Sequence, residues 1–371
     1  MSSPMWTPPP ARVAASNMRA FMAWQAAERG RAFPDYRALH AWSVADLEGF
    51  WSDFWDWSGV IAETKGARIL IDGDKMPGAR FFPDAKLNFA ENLLRHCGPG
   101  PAIMFRREDG LERIMSGDEL KALVARIAKA LLAMGIEPGD RVAGFLPNIP
   151  EAIACMAGAA SIGAVWTSCS PDFGVQGVLD RFGQIAPKVM ISVDGYVYAG
   201  KRLDIRDKVS AVADGLPGLE KLVIVPFLQD TPDLADMPGA IALEDWLAPH
   251  AAGPIPFKRL PFDHPLYILY SSGTTGAPKC IIHRAGGILL QHLKEYSLHA
   301  DIKPGDRHFY FTTLGWMMWN WLVSGLTVGA TLMLYDGSPF HPDGNVLWDY
   351  ADERKFNIFG TSAKFIEGCL K

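Results

Sequence analysis

Cysteine is scarce in this chain. The five that occur in 371 residues (Cys97, Cys155, Cys169, Cys280 and Cys369) are odd in number and widely scattered. They show no CxxC spacing and no histidine partner at zinc-finger distance. That argues against a disulfide framework or a structural zinc, and for reduced, mostly buried thiols. A surplus of either charge is also missing. The formal charge is −5, the pI is near 6.0 and no block of like charges occurs, which speaks against a nucleic-acid protein. Residues 1–10 hold no charged-then-apolar leader, so the cytoplasm is the expected location.

Uninterrupted apolar spans are lacking as well. Residues 152–171 are mostly Ala, Gly, Ser and Cys with Gly163 in the middle, and residues 309–335 are broken by Thr312, Thr313, Gly315, Asn320, Ser324, Gly325 and Gly329. Both are expected as a buried helix followed by a buried strand rather than as a membrane span. No internal repeat and no low-complexity tract occurs. What the chain does have is 49% hydrophobic and 21% charged residues, enough to bury a sizeable core, over a length that suits two or three domains or subdomains.

The first hundred residues read as helical and aromatic. Ser16 is placed to cap a helix to about Arg29, and Ser43 with Asp46 to open a second one carrying Leu47, Phe50, Trp51, Phe54 and Trp55 at helical spacing. Such a stripe is core or a docking face rather than a ligand box. From about Pro101 strands alternate with helices. Ser116 and Glu119 form a capping box, Gly135 stops that helix, and strands are expected near 102–105, 141–146, 164–167, 188–192 and 221–225. Alternation of this kind means right-handed crossovers and largely parallel sheets, an α/β fold. The expected divisions are 1–100, a helical N-terminal region; 101–260, a first α/β subdomain; and 261–371, a second.

The chemistry concentrates in Tyr270-Ser271-Ser272-Gly273-Thr274-Thr275-Gly276-Ala277-Pro278-Lys279, between the apolar strand 266–270 and a short strand at 280–283. Glycine lets backbone N–H groups approach an anion closely. The hydroxyls of Ser271, Ser272, Thr274 and Thr275 add neutral donors, and Lys279 adds a charge or sits solvated at the loop's end. The spacing does not match the Walker pattern, because no Gly-Lys-Ser/Thr triplet follows at the required distance.

Nearly residue for residue, that loop resembles the phosphate loop of the adenylate-forming (acyl-CoA synthetase) superfamily. Gly139-Asp140-Arg141-Val142, Asn148-Ile149-Pro150-Glu151, Ser161-Ile162-Gly163-Ala164-Val165 and Gly315-Trp316 are similar to further segments of that superfamily, in the same order. Residues 81–94 resemble the stretch preceding the main domain of acetyl-CoA synthetase-like enzymes. Pro4-Met5-Trp6-Thr7-Pro8, Ala15-Ser16-Asn17-Met18 and the aromatic helix are most similar to the acetoacetate–CoA ligase branch.

The resemblance implies the superfamily's large-domain fold, with stacked, mostly parallel sheets and helices on both faces. It implies two half-reactions: a carboxylate attacks the α-phosphate of ATP, with Mg²⁺ assisting, to give an acyl-adenylate and pyrophosphate, and coenzyme A then displaces AMP. Ser271, Ser272, Gly273, Thr274, Thr275, Gly276 and Lys279 would hold the phosphates, where donors matter most as charge builds on the departing pyrophosphate. Trp316, Met317, Met318 and Trp319 line the acyl pocket or are simply core. Lys201 would meet the coenzyme A phosphate, although Tyr198 stands where relatives carry an upstream arginine. His283 reads as structural.

Relatives continue past this length, with a ribose-binding acidic motif and a C-terminal catalytic lysine that have no counterpart here. The chain therefore reads as an N-terminal portion, with no catalytic residue assigned and full turnover not expected of it. Acetate or another short acid as substrate, or a non-catalytic remnant that binds nucleotide or a partner protein, remain open alternatives. Oligomeric state is not legible.

Overall fold

The computed structural model describes residues 5–271 and 276–370. Ser16 caps the helix Asn17–Arg29 as its spacing suggests, its hydroxyl accepting the Arg19 N–H. Ser43 does not open the next helix. The helix Tyr36–Ala45 starts at Asp35 and the aromatic helix Leu47–Ser58 at Asp46, each carboxylate accepting a backbone N–H at 2.9 Å. A carboxylate suits the positive end of a helix better than a hydroxyl does, and the Ser43 hydroxyl instead donates to the His40 carbonyl. Phe21 on the first of these helices meets the rings of Phe50, Phe54 and Trp57 on the third, at centroid distances of 5.2–6.2 Å. Leu47 of the expected stripe stays exposed.

Two sheets form the body. The seven-stranded sheet runs Ala240–Ala242, Lys221–Val225, Val189–Val193, Arg141–Phe145, Val165–Cys169, Pro265–Tyr270, Cys280–Arg284, and all neighbours are parallel except the last pair. The five-stranded sheet runs Ile358–Gly360, Arg307–Tyr310, Thr331–Asp336, Pro101–Arg107, Glu112–Ser116, again with one antiparallel pair at the end. Strands from both sides of residue 260 therefore sit in both sheets. The helix after Cys280–Arg284 is α-helical from Ala285 to Lys294 and widens into a π-helical turn over Glu295–His299. No helix among the described residues is long and apolar enough to cross a membrane.

Two helices fill the space between the sheets. Gly117–Ala133, opened by the Ser116–Glu119 capping box, packs on the five-stranded sheet, and Pro150–Ile162 packs on the seven-stranded one. The two also pack on each other. In Pro150–Ile162 twelve of thirteen residues are buried, so no polar face exists and helical periodicity is lost. The exception, Glu151, is held by the Arg113 guanidinium at 2.5 Å. Gly163 ends the helix in a left-handed conformation, φ 85°.

Small residues set how closely these two helices approach. A Cβ at Gly158 would lie 2.7 Å from Ile127 Cγ2. Ile127 is fully buried, and as a β-branched residue in a helix it has one strongly preferred χ1 rotamer, so it has nowhere to move. Gly158→Ala is expected to lower stability by about 1–3 kcal/mol, the usual cost of overpacking, despite its gain in helix propensity. Urea denaturation measures this; an unchanged midpoint would contradict the packing argument.

Candidate functional site

The Ser/Thr/Gly loop leaves the seven-stranded sheet at its antiparallel edge, where Tyr270 pairs with Cys280. One step beyond, the Ser271 N–H donates to the Lys279 carbonyl at 3.0 Å, and the Lys279 N–H donates to Ser271 Oγ at 3.2 Å. These two bonds close the loop's neck. Gln184 braces the outgoing arm, its Nε2 donating to the Pro278 carbonyl at 2.8 Å. Gly276 is left-handed at φ 94°, and Lys279 is exposed. Ser272, Gly273, Thr274 and Thr275 lie outside the described residues.

Trp316, Met317, Met318 and Trp319 do not share one environment. Trp316 and Met317 are 64% and 43% exposed, Met318 is half-buried, and Trp319 is fully buried. A buried indole N–H needs an acceptor, and Trp319 Nε1 donates to Asn148 Oδ1 at 2.9 Å. The start of the helix Met317–Val323 is thereby pinned to the loop after the strand Arg141–Phe145. His283 lies beside the ring of Tyr267 at 5.4 Å, and burial pushes its pKa down.

Parallel strands of both sheets end on a common cleft, a cavity of about 490 Å³. Its walls include Ser170 and Asp172 beyond Val165–Cys169, Tyr196 and Tyr198 beyond Val189–Val193, Thr312 beyond Arg307–Tyr310, and Ser362 beyond Ile358–Gly360. Open α/β sheets bind ligands outside the carboxyl ends of their strands. Lys201 sits near the rim, on the hairpin Gly195–Tyr198 and Lys201–Asp204, paired in register with the wall residue Tyr198. Ser271, Lys279 and Trp316–Trp319 are not among its wall residues, but the Trp316 N–H donates at 3.2 Å to the carbonyl of Thr313, which is.

Asp336 lines the cleft and was not singled out in the sequence. The signal was positional: it is the last residue of a central parallel strand. Its Oδ1 lies 3.4 Å from the Asn148 N–H, and its Oδ2 is shut from solvent with no partner among the described residues. Burial, helped by the negative charges of Glu108 and Asp172, outweighs the Asn148 N–H and the Arg107 guanidinium and pushes its pKa up to about 7. Asn148 thus accepts from Trp319 and donates to Asp336, joining the tryptophan segment to the cleft.

Comparison with known proteins bears on this geometry. A family model described as AMP-binding enzyme matches residues 91–371, and one described as acetyl-coenzyme A synthetase N-terminus matches residues 36–93. The chain belongs to the AMP-binding enzyme family. Among AMP-binding enzymes it is similar to acetoacetyl-coenzyme A synthetase of Rhizobium meliloti (strain 1021), with 57% identity over 99% of this chain and 56% of that one. It is also similar to acetoacetyl-CoA synthetase of Gallus gallus, with 43% identity over 98% of this chain and 56% of the other. The solved structure of acetoacetyl-CoA synthetase from Streptomyces lividans superposes with a TM-score of 0.93 at 44% identity, over 99% of this chain and 56% of that one. This AMP-binding enzyme chain spans about half the length of the curated relatives it matches.

The buried carboxyl gives a pH test. Asp336 holds its proton in the folded chain where the unfolded chain has released it, so between about pH 4 and 7 the folded state binds more protons. Its contribution to stability therefore falls as pH rises through that window. Asp336→Asn keeps an acceptor for the Asn148 N–H and removes the buried charge. It is expected to be more stable than the parent at pH 8, by about 1–3 kcal/mol, with the difference shrinking toward pH 5. Urea denaturation at several pH values reads it; a constant difference would show that Asp336 does not titrate there.

Proposed function

We propose that this chain is the acid-activating portion of an acetoacetate–CoA ligase. Acetoacetate attacks the α-phosphorus of ATP, forming the acyl-phosphate bond as pyrophosphate leaves. The coenzyme A thiol, giving up its proton, then attacks the acyl carbon and AMP departs. The observation that carries this reading is the 57% identity to an acetoacetyl-coenzyme A synthetase along 99% of the chain.

The geometry supports it in three places. The Ser271–Lys279 neck closes a short loop at a rigid sheet edge, and the hydroxyl and glycine residues of its sequence are the donor types a leaving pyrophosphate needs, with Lys279 adding charge. Trp319, anchored on Asn148, fixes the preceding Trp316 and Met317, whose exposed side chains suit one wall of a small acyl pocket. Lys201 beside the cleft suits the phosphates of coenzyme A.

Mg²⁺ would arrive on the nucleotide, since it binds mainly through phosphates and water. All five cysteines are unpaired, in keeping with a reducing compartment such as the cytoplasm.

The test is carboxylate-dependent ATP–pyrophosphate exchange by the intact polypeptide bearing this sequence, with acetoacetate, acetate and propionate compared. Acetoacetate is expected to stimulate exchange most, and Lys279→Ala to lower it about 10-fold or more, as loss of a transition-state charge partner does. A preference for acetate or propionate would move the substrate assignment. Absence of exchange from folded protein would overturn the reading.

A further inference from the structure

The two walls of the cleft come from different sheets, and one side chain ties them together. Glu108 sits on the tight turn joining Pro101–Arg107 to Glu112–Ser116, at the far end of the five-stranded sheet's central strands. Its Oε1 accepts the Gly200 N–H at 2.6 Å. Its Oε2 accepts the Ala199 N–H at 3.0 Å and the Ser338 N–H at 2.7 Å. Ala199 and Gly200 form the turn of the Lys201 hairpin, and both are left-handed, φ 50° and 75°. Ser338 lies between the wall residues Gly337 and Pro339 on the opposite side, and the Asp336 carbonyl accepts the Glu108 N–H at 3.0 Å.

The surroundings are shaped for this clamp. Gly337 has φ 140°, and a Cβ there would lie 2.5 Å from Glu108 Cβ; a Cβ on Gly200 would lie 2.9 Å from His341 Cε1. Gly337 leaves room for the gripping side chain, and Gly200 for the His341 ring. Glu108 cannot swing away with its turn, because the neighbouring Arg107 is paired to Asp109 and donates to the Phe227 carbonyl. With three N–H groups on its two oxygens, the carboxylate is a poor candidate for binding an incoming cation.

Lys201 follows Gly200 directly, so a shift of the turn shifts Lys201. We infer that Glu108 is a positioning residue for coenzyme A binding, holding the Lys201 hairpin at the distance from the 337–341 loop that the phosphates of coenzyme A require. This rests on the ligase reading given above.

The experiment measures KM for coenzyme A, kcat and acetoacetate-dependent ATP–pyrophosphate exchange in the intact enzyme for Glu108→Ala, Glu108→Gln, Lys201→Ala and the Glu108→Ala/Lys201→Ala pair. Glu108→Ala is expected to raise KM for coenzyme A about 10-fold, in the range that a displaced positioning group costs, with kcat and pyrophosphate exchange within about 2-fold of the parent. Glu108→Gln, which keeps an acceptor oxygen, restores part of the loss. Once Lys201 is gone, Glu108→Ala adds little, because the two act on one interaction. Amide exchange at Ala199 and Gly200 speeds up in Glu108→Ala. An unchanged KM for coenzyme A, additive effects of the two substitutions, or a parallel fall in pyrophosphate exchange overturns the assignment while leaving the ligase reading in place. Absence of acid-dependent pyrophosphate exchange in the parent overturns the ligase reading, and this inference with it.

Discussion

The helix Pro150–Ile162 meets water only at Glu151, and the rest of the architecture is arranged around that constraint. Its alanines, Gly158 and Ser161 keep it thin, so both neighbouring layers approach closely. Its polar needs are met locally: the Ser161 hydroxyl donates to the Gly158 carbonyl at 2.8 Å, and Asn88 Nδ2 reaches the Ser161 carbonyl at 2.8 Å. Because the helix begins at Pro150, the residues just before it, Asn148 and Ile149, are fixed where the strand Arg141–Phe145 delivers them. The position of Asn148 then fixes Trp319 and, through its backbone, contacts Asp336.

A second consequence concerns charge. The cleft gathers Asp172 and Asp336 at strand ends, yet its proposed ligands are anions. The structure handles this unevenly. Asp336 is desolvated until its carboxyl holds a proton near neutrality, and Glu108 nearby is surrounded by backbone N–H groups. The cleft is therefore less negative than its composition suggests, which matters for any phosphate approaching the rim.

Much of the fold was legible because local rules and tertiary packing agree here. Ser116 and Glu119 make the reciprocal cap their spacing promises, Gly163 stops its helix, and the β-branched run Lys221–Val225 is a strand as drawn. The loop neck was legible too, as two short strands flanking it. Sheet membership was not, because nothing in the residues of Pro101–Arg107 says that its partner is Thr331–Asp336. The antiparallel edge Glu112–Ser116 was hidden by its short length and polar ends. Asp336 and Glu108 escaped notice for another reason. Each is an ordinary acidic residue in the sequence, and its character comes from what surrounds it: a sealed strand end for one, three N–H donors for the other. Trp319 was only half readable, since pocket wall and core look alike in an apolar run until the indole finds Asn148.

The interleaving of the two sheets bears on how the chain is made. The strand Pro101–Arg107 takes its second neighbour from Thr331–Asp336, and the Thr331 hydroxyl bonds the Pro101 carbonyl across 230 residues of sequence. A ribosome adding about 5–20 residues per second emits the first segment roughly 10–45 s before the second. Over that interval the seven-stranded sheet can gather its strands in turn, but the hairpin 101–116 waits with one edge unpaired. An edge of that kind is where a nascent chain is open to association with another copy. On this topology, the interval of greatest exposure ends when the strand Thr331–Asp336 emerges and inserts between its neighbours.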